Sequence, residues 1–157
     1  MQRDDERWMR IALEEARLCL RGGDADDDDV PIGAIIMQGG VLIARAHNEV
    51  VLRCDATRHA ELLAVRAALK TLSAPRLEGT TLYVTLEPCP MCAGALWLAR
   101  VERIVFGAFD AKAGACGSLF DIPRDPRLNH RPQLRGGVLE EECAALLGEF
   151  FAARRKG

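Results

Sequence analysis

Thr80-Thr81-Leu82-Tyr83-Val84-Thr85-Leu86-Glu87-Pro88-Cys89-Pro90-Met91-Cys92 is the stretch on which the fold turns. Thr80 to Leu86 is apolar and β-prone, which predicts a strand running straight into Glu87-Pro88-Cys89-Pro90. Pro90 suits the first turn of a helix, because its missing N–H would have no helical partner there. Helical character then runs from Met91 to Arg100, and Arg103 to Phe106 reads as another strand. Upstream, a helix is predicted from near Thr57 to Leu72, with Leu62, Val65, Leu69 and Leu72 inward and Ser73-Ala74-Pro75 as its stop. Before it, Val30 to Met37 and Val41 to Ala46 are short strands joined by the hairpin signal Gln38-Gly39-Gly40. The first helix is expected from Asp4 to Leu20, striped by Met9, Leu13, Ala16 and Leu20 and stopped at Gly22-Gly23. Asp24 to Asp29 then reads as a solvated acidic loop. Downstream, Asp110 to Arg135 is loop-rich, Gly136 to Leu139 is a candidate short strand, and Glu140 to Arg155 is a closing helix striped by Cys143, Leu146, Leu147 and Phe150. No repeat or linker interrupts the pattern. The alternation predicts one domain over residues 1–157, a three-layer α/β/α sandwich around a central mixed sheet.

Composition agrees with that. The chain has 157 residues, 49% hydrophobic and 28% charged, which fits one globular domain and excludes disordered or collagen-like classes. No apolar run approaches the roughly 20 residues of a membrane span. The charged N-terminus lacks the apolar segment of a signal peptide, so no membrane partner and a cytoplasmic location are expected. A formal charge of -2 means that any nucleic-acid partner must be met by a local basic patch.

Of the six cysteines, Cys89 and Cys92 alone have metal-ligand spacing; Cys19, Cys54, Cys116 and Cys143 read as buried small hydrophobes or bystanders. Cysteines at i and i+3 share a helix face, so both sulfurs can reach one ion. His59 adds an imidazole. Two thiolates and one imidazole leave a fourth tetrahedral position for water, the pattern of a catalytic zinc. The soft donor set favours zinc over iron. Glu61 stands two residues after His59, and on an ideal helix such residues diverge by about 200°. They can serve one centre only at a helix N-terminus, with Glu61 moving protons instead of binding metal. His47 and His130 have no spaced ligand partner and read as structural or surface residues.

His59-Ala60-Glu61 with Pro88-Cys89-Pro90-Met91-Cys92 resembles the signature of the zinc-dependent nucleoside and nucleobase deaminases, a superfamily whose known examples include adenine and cytosine deaminases. The likeness runs from Val30-Pro31-Ile32-Gly33-Ala34 to the terminal helix. Val105-Phe106-Gly107-Ala108, Gly114-Ala115-Cys116-Gly117-Ser118, Asn129-His130-Arg131 and Phe150-Phe151 with Arg154-Arg155 resemble the bacterial tRNA-specific adenosine deaminase branch. That resemblance implies a cytidine-deaminase-like fold, one zinc ion per subunit, a homodimer, and hydrolytic conversion of adenosine to inosine at the wobble position of an arginine tRNA. Hydroxide generated at the zinc would attack C6, with Glu61 as proton shuttle. It also implies that Asn48 contacts the target nucleotide, that Asp110 and Lys112 touch flanking nucleotides, and that Phe151, Arg154 and Arg155 grip the anticodon stem-loop.

Three features depart from the branch. Phe109 replaces an expected basic residue, Arg58 replaces a small one beside His59, and the Asp24 to Asp29 run would repel RNA at a binding face. Two other readings compete: a guanine or other free-base or nucleoside deaminase of the same superfamily, and a non-catalytic zinc-stabilised RNA-binding protein.

Overall fold

The computed structural model describes residues 2–155, with side chains from Asp4 to Arg154. Five helices and five strands follow one another as α1 Gln2–Arg17, β1 Gly33–Gln38, β2 Val41–His47, α2 Val50–Arg53, α3 Ala60–Leu72, β3 Thr80–Leu86, α4 Pro90–Leu98, β4 Arg103–Ala108, β5 Gln133–Arg135 and α5 Glu140–Arg155, with a single 3-10 turn at Ala25–Asp27. The sheet order is β2-β1-β3-β4-β5. β1 pairs antiparallel with β2 and β3, whereas β3, β4 and β5 run parallel, so the sheet is mixed.

Alternation along the strands builds two cores. Ala34, Ile36, Leu82, Val84, Ile104 and Phe106 face α3 and α4. Ile35, Met37, Tyr83 and Val105 face α1 and α5, meeting Met9, Leu13, Cys143 and Leu146. Because side chains on a strand alternate, every central strand is apolar on both faces. This is the expected three-layer sandwich. The β1–β2 turn is made by Gly39 and Gly40 at φ 56° and 78°, left-handed values that glycine adopts without a Cβ penalty.

Several boundaries differ from the sequence expectation. α1 ends at Arg17, so Leu20 is 40% exposed and Cys19 is buried in its place. The helix expected from near Thr57 begins at Ala60 and ends at Leu72 as expected, and it is preceded by a short helix not read from the sequence, α2, which ends where Cys54 turns left-handed at φ 50°. On α3 the deepest side chains are Ala60, Ala64, Val65 and Ala68, with Leu62, Leu69 and Leu72 only partly buried. Small residues on that face let α3 approach β1 and β2 closely. The short strand lies at Gln133–Arg135, not Gly136–Leu139, since Gly137 at φ 86° and Leu139 at φ 53° cannot continue a strand.

Two contacts lock α1 to the sheet. A Cβ at Gly33 would stand 2.0 Å from the Ala12 carbonyl oxygen and 2.5 Å from the Ala16 nitrogen. Gly33→Ala is therefore expected to lower stability by about 3 kcal/mol, as seen in urea unfolding, since backbone cannot step aside as a flexible side chain does. Asp5, 1% exposed, accepts hydrogen bonds from Arg103, Arg135 and the Tyr83 hydroxyl. Burial alone would raise its pKa, but those donors outweigh it and bring it from 3.8 to about 2. A carboxylate with a depressed folded pKa contributes stability above its unfolded value and loses it as pH falls. Acid unfolding should accordingly steepen between pH 3.8 and 2. Asp5→Asn should lose that component and about 3 kcal/mol at neutral pH, because it strands two partly buried guanidinium groups.

Candidate active site

The site forms where α3 and α4, packed on the same face of the sheet, begin. His59 is the N-cap of α3, extended at φ -79° and ψ 148°, and Glu61 sits in the helix's first turn. The extended backbone at His59 takes it out of the helical progression, so that His59 and Glu61 line one cavity despite their spacing. Asn48 fixes this helix start: it is 6% exposed, and its Oδ1 accepts the Ala60 N–H at 2.8 Å. Cys89 is the N-cap of α4, Pro90 opens that helix, and Cys92 lies one turn on, fully buried.

His59 Nδ1 lies 3.5 Å from Cys89 Sγ and 3.6 Å from Cys92 Sγ. All three ligand atoms fall within 4.8 Å of one another. A tetrahedral zinc with Zn–S of about 2.3 Å and Zn–N of about 2.1 Å requires S···N edges of about 3.6 Å. The side chains thus fit a metal of that size without rearrangement. Among the described residues, no other group of three His, Cys, Asp or Glu donors gathers this way. His47 instead pairs with Glu15 and His130 bonds the Val101 carbonyl.

The electrostatics favour a thiolate at Cys89 and proton transfer at Glu61, whereas the hydrogen bond to Cys89, burial and the nearby Glu61 push the Cys92 thiol well above the ordinary range. A hydrogen bond from Cys92, opposed by burial and aided by His59, holds the Cys89 thiol down at about 4. The His59 pKa is raised by its hydrogen bond to Cys89. Burial pushes Glu61 up to about 7, where a carboxyl group can both take and give a proton at neutral pH.

These groups open onto a cavity of about 380 Å³, lined by His59, Glu61, Cys89, Asn48, Asp110, Phe151 and Arg154 among others. The volume admits a nucleobase with part of its sugar. Seven of the expected site residues thus share one cavity. Cys92 lies behind it, Lys112 is exposed outside the lining, and the Arg155 side chain lies outside the described residues. Asp110 shapes its own loop, its Oδ1 accepting the N–H groups of Lys112 and Ala113. Arg154 stacks over Phe150 at 4.6 Å and donates to the Ala25 carbonyl at 2.8 Å. Of the departures, Arg58 pairs with Glu49 at 2.8 Å, and Phe109 is half exposed, edge-on to Phe106.

Two site residues escaped the sequence reading. Asp29, expected in a solvated loop, is 1% exposed; it pairs with Arg21 and accepts the N–H groups of Val51 and Leu52 at the start of α2. Helix N-termini favour such a carboxylate. Only Asp29's position next to Val30-Pro31 distinguished it within the run. Glu87, 2% exposed, carries the hydrogen bonds of the 110–118 loop. Burial works to raise its pKa, but those bonds prevail and hold it below the usual carboxylate value. Its signal was its place, an acidic residue directly after an apolar strand.

Fold and site, with a His-Cys-Cys group that could hold a metal ion, define a deaminase, and a family model described as MafB19-like deaminase matches residues 3–155. The chain is 49% identical to the tRNA-specific adenosine deaminase of Bacillus subtilis over 97% of this chain and 91% of that protein. It is 45% identical to the Aquifex aeolicus enzyme of the same name, covering 96% of this chain and 95% of the other. A solved structure from work on A-to-I editing by tRNA:A34 deaminases at the wobble position superposes with a TM-score of 0.81 at 41% identity, over 89% of this chain and 98% of that one. A guanine deaminase from Nitrosomonas europaea superposes at 0.75 with 29% identity, over 94% and 84% of the two chains. The chain belongs to the tRNA-specific adenosine deaminase family.

Proposed function

We propose that the protein hydrolyses the 6-amino group of adenosine at the wobble position of a tRNA anticodon, an arginine tRNA by the sequence resemblance, yielding inosine and ammonia. The observation that carries the chemistry is Glu61, a buried carboxyl group beside His59, Cys89 and Cys92 on one cavity. The tRNA substrate rests on relatives at 40–49% identity that carry that name, against 29% for the guanine deaminase. That difference disfavours the free-base reading, and a buried proton-transfer group disfavours a purely structural metal.

His59, Cys89 and Cys92 would hold one zinc ion per subunit, which supplies a Lewis acid that makes water nucleophilic near neutral pH. Glu61 takes a proton from the attacking water and hands protons to the base, so that the C6–N bond breaks with ammonia as leaving group. Asn48 holds the start of α3, and with it His59 and Glu61, against the nucleotide. Phe151 offers a face for stacking an unpaired base. Arg154 and Lys112 supply cationic charge for phosphates, with Arg155 as the next cation in sequence. Asp110 shapes the wall that meets the flanking nucleotides.

The protein acts as a homodimer in this reading, supported by the exposed apolar side chains of Leu98, Leu119 and Phe120. Among the described residues, no helix is long and apolar enough to cross a membrane, and a cytoplasmic location fits a tRNA substrate. The test is incubation of the metal-quantified protein with an arginine anticodon stem-loop bearing a wobble adenosine. Inosine at that position is expected, with free adenosine and guanine untouched. A full metal complement that converts guanine and leaves the stem-loop unchanged would overturn the reading.

A further inference from the structure

We propose that Glu87 is a positioning residue whose single carboxylate clamps the 110–118 loop onto the Pro88–Cys92 segment and so sets the cavity wall against which the substrate nucleotide packs. Oε1 accepts from the Asp110 N–H and the Ser118 hydroxyl, and Oε2 from the N–H groups of Cys116 and Ser118. These four bonds fill the acceptor sites of one carboxylate. Their donors are spread over nine residues that carry no helix or named strand. The neighbouring Pro88 carbonyl adds a fifth tie by accepting the Ala115 N–H at 2.8 Å. Gly114 closes directly over the clamp: a Cβ there would stand 2.4 Å from Glu87 Cδ.

The clamp reaches the cavity from both sides. Glu87, Cys89, Asp110 and Ala113 all line it. The chain therefore passes from a metal ligand to the loop wall through one buried carboxylate. Among the described residues no cation pairs with Glu87, and a buried carboxylate held by neutral donors is a costly means of mere loop attachment. What it provides is simultaneous orientation of three backbone N–H groups, which an apolar side chain cannot do.

The inference rests on the tRNA reading for the nucleotide it positions, but the clamp itself is tested without substrate. Glu87→Gln puts an amide donor against N–H groups that cannot accept from it. In the metal-loaded full chain, amide exchange across 110–118 should accelerate about tenfold, the equivalent of one lost hydrogen bond, while α3, β3 and metal content stay as in the wild type. KM for the stem-loop should rise about tenfold with kcat within about threefold. Ser118→Ala removes one of the four donors without disturbing the buried carboxylate. It should shift exchange and KM in the same direction by about two- to threefold. Unchanged exchange at 110–118 in Glu87→Gln overturns the clamp. Activity lost in step with metal content and melting temperature, at unchanged KM, reduces Glu87 to a structural role and overturns the proposal. If the wild-type protein makes no inosine, the tRNA reading fails and the exchange measurement alone decides the clamp.

Discussion

Glu61→Gln is expected to lower deamination on the order of 10³-fold while leaving fold and metal content unchanged, because positioned proton transfer contributes about 10² to 10⁴. Glutamine has the shape of glutamate, and the side chain is 4% exposed, so the packing at the start of α3 should survive. What disappears is a group that can both accept and return a proton. Burial holds Glu61 at about 7, whereas a glutamine amide does not titrate in any usable range. The decisive comparison is single-turnover inosine formation by the variant and wild-type protein at matched metal content. Turnover of the variant within about tenfold of wild type would remove Glu61 from proton transfer. A proportional loss of metal would instead make it a structural support.

Stripping the metal by a chelator should have the other large effect. Activity is expected to fall below about 1% and to return on adding one equivalent of Zn²⁺ per chain, since Glu61 alone is too weak a base to ionise water that no Lewis acid has acidified. Melting temperature should fall as well, because an ion that binds the folded chain alone stabilises it by mass action. The fall should be partial. His59, Cys89 and Cys92 hang from the first turns of α3 and α4, which are held independently by the core on either side of β3. Calorimetry of the stripped and reloaded protein measures this. An unchanged activity after removal would overturn the metal's catalytic role.

The two readouts separate the parts of the site. Loss of Glu61 should spare metal binding, whereas loss of the metal should spare the global fold. A chain with neither effect would fit the competing picture of a structural metal in an RNA-binding protein.

The sequence by itself determined the sandwich and the deaminase class. β3 was legible from Thr80 to Leu86 because an apolar run before Pro-Cys-Pro has little alternative to a buried strand. α5 was legible at both ends because Glu140 and Arg155 bound an uninterrupted helical stripe. The gathering of His59, Cys89 and Cys92 was legible because ligand chemistry demands particular residue types, and the Cys89–Cys92 spacing is local. Only the tertiary structure decided which face α3 buries. The alanine stripe of Ala60, Ala64 and Ala68 is fully buried against the sheet side, whereas the larger Leu62 is only partly buried. Only the structure showed Asp29 leaving its acidic run for the interior, and Glu87 meeting donors 23 to 31 residues downstream. Local pattern fixes what a segment tends to become. Which buried polar group is satisfied, and by what, depends on donors that are distant in the chain and become neighbours only after the layers pack.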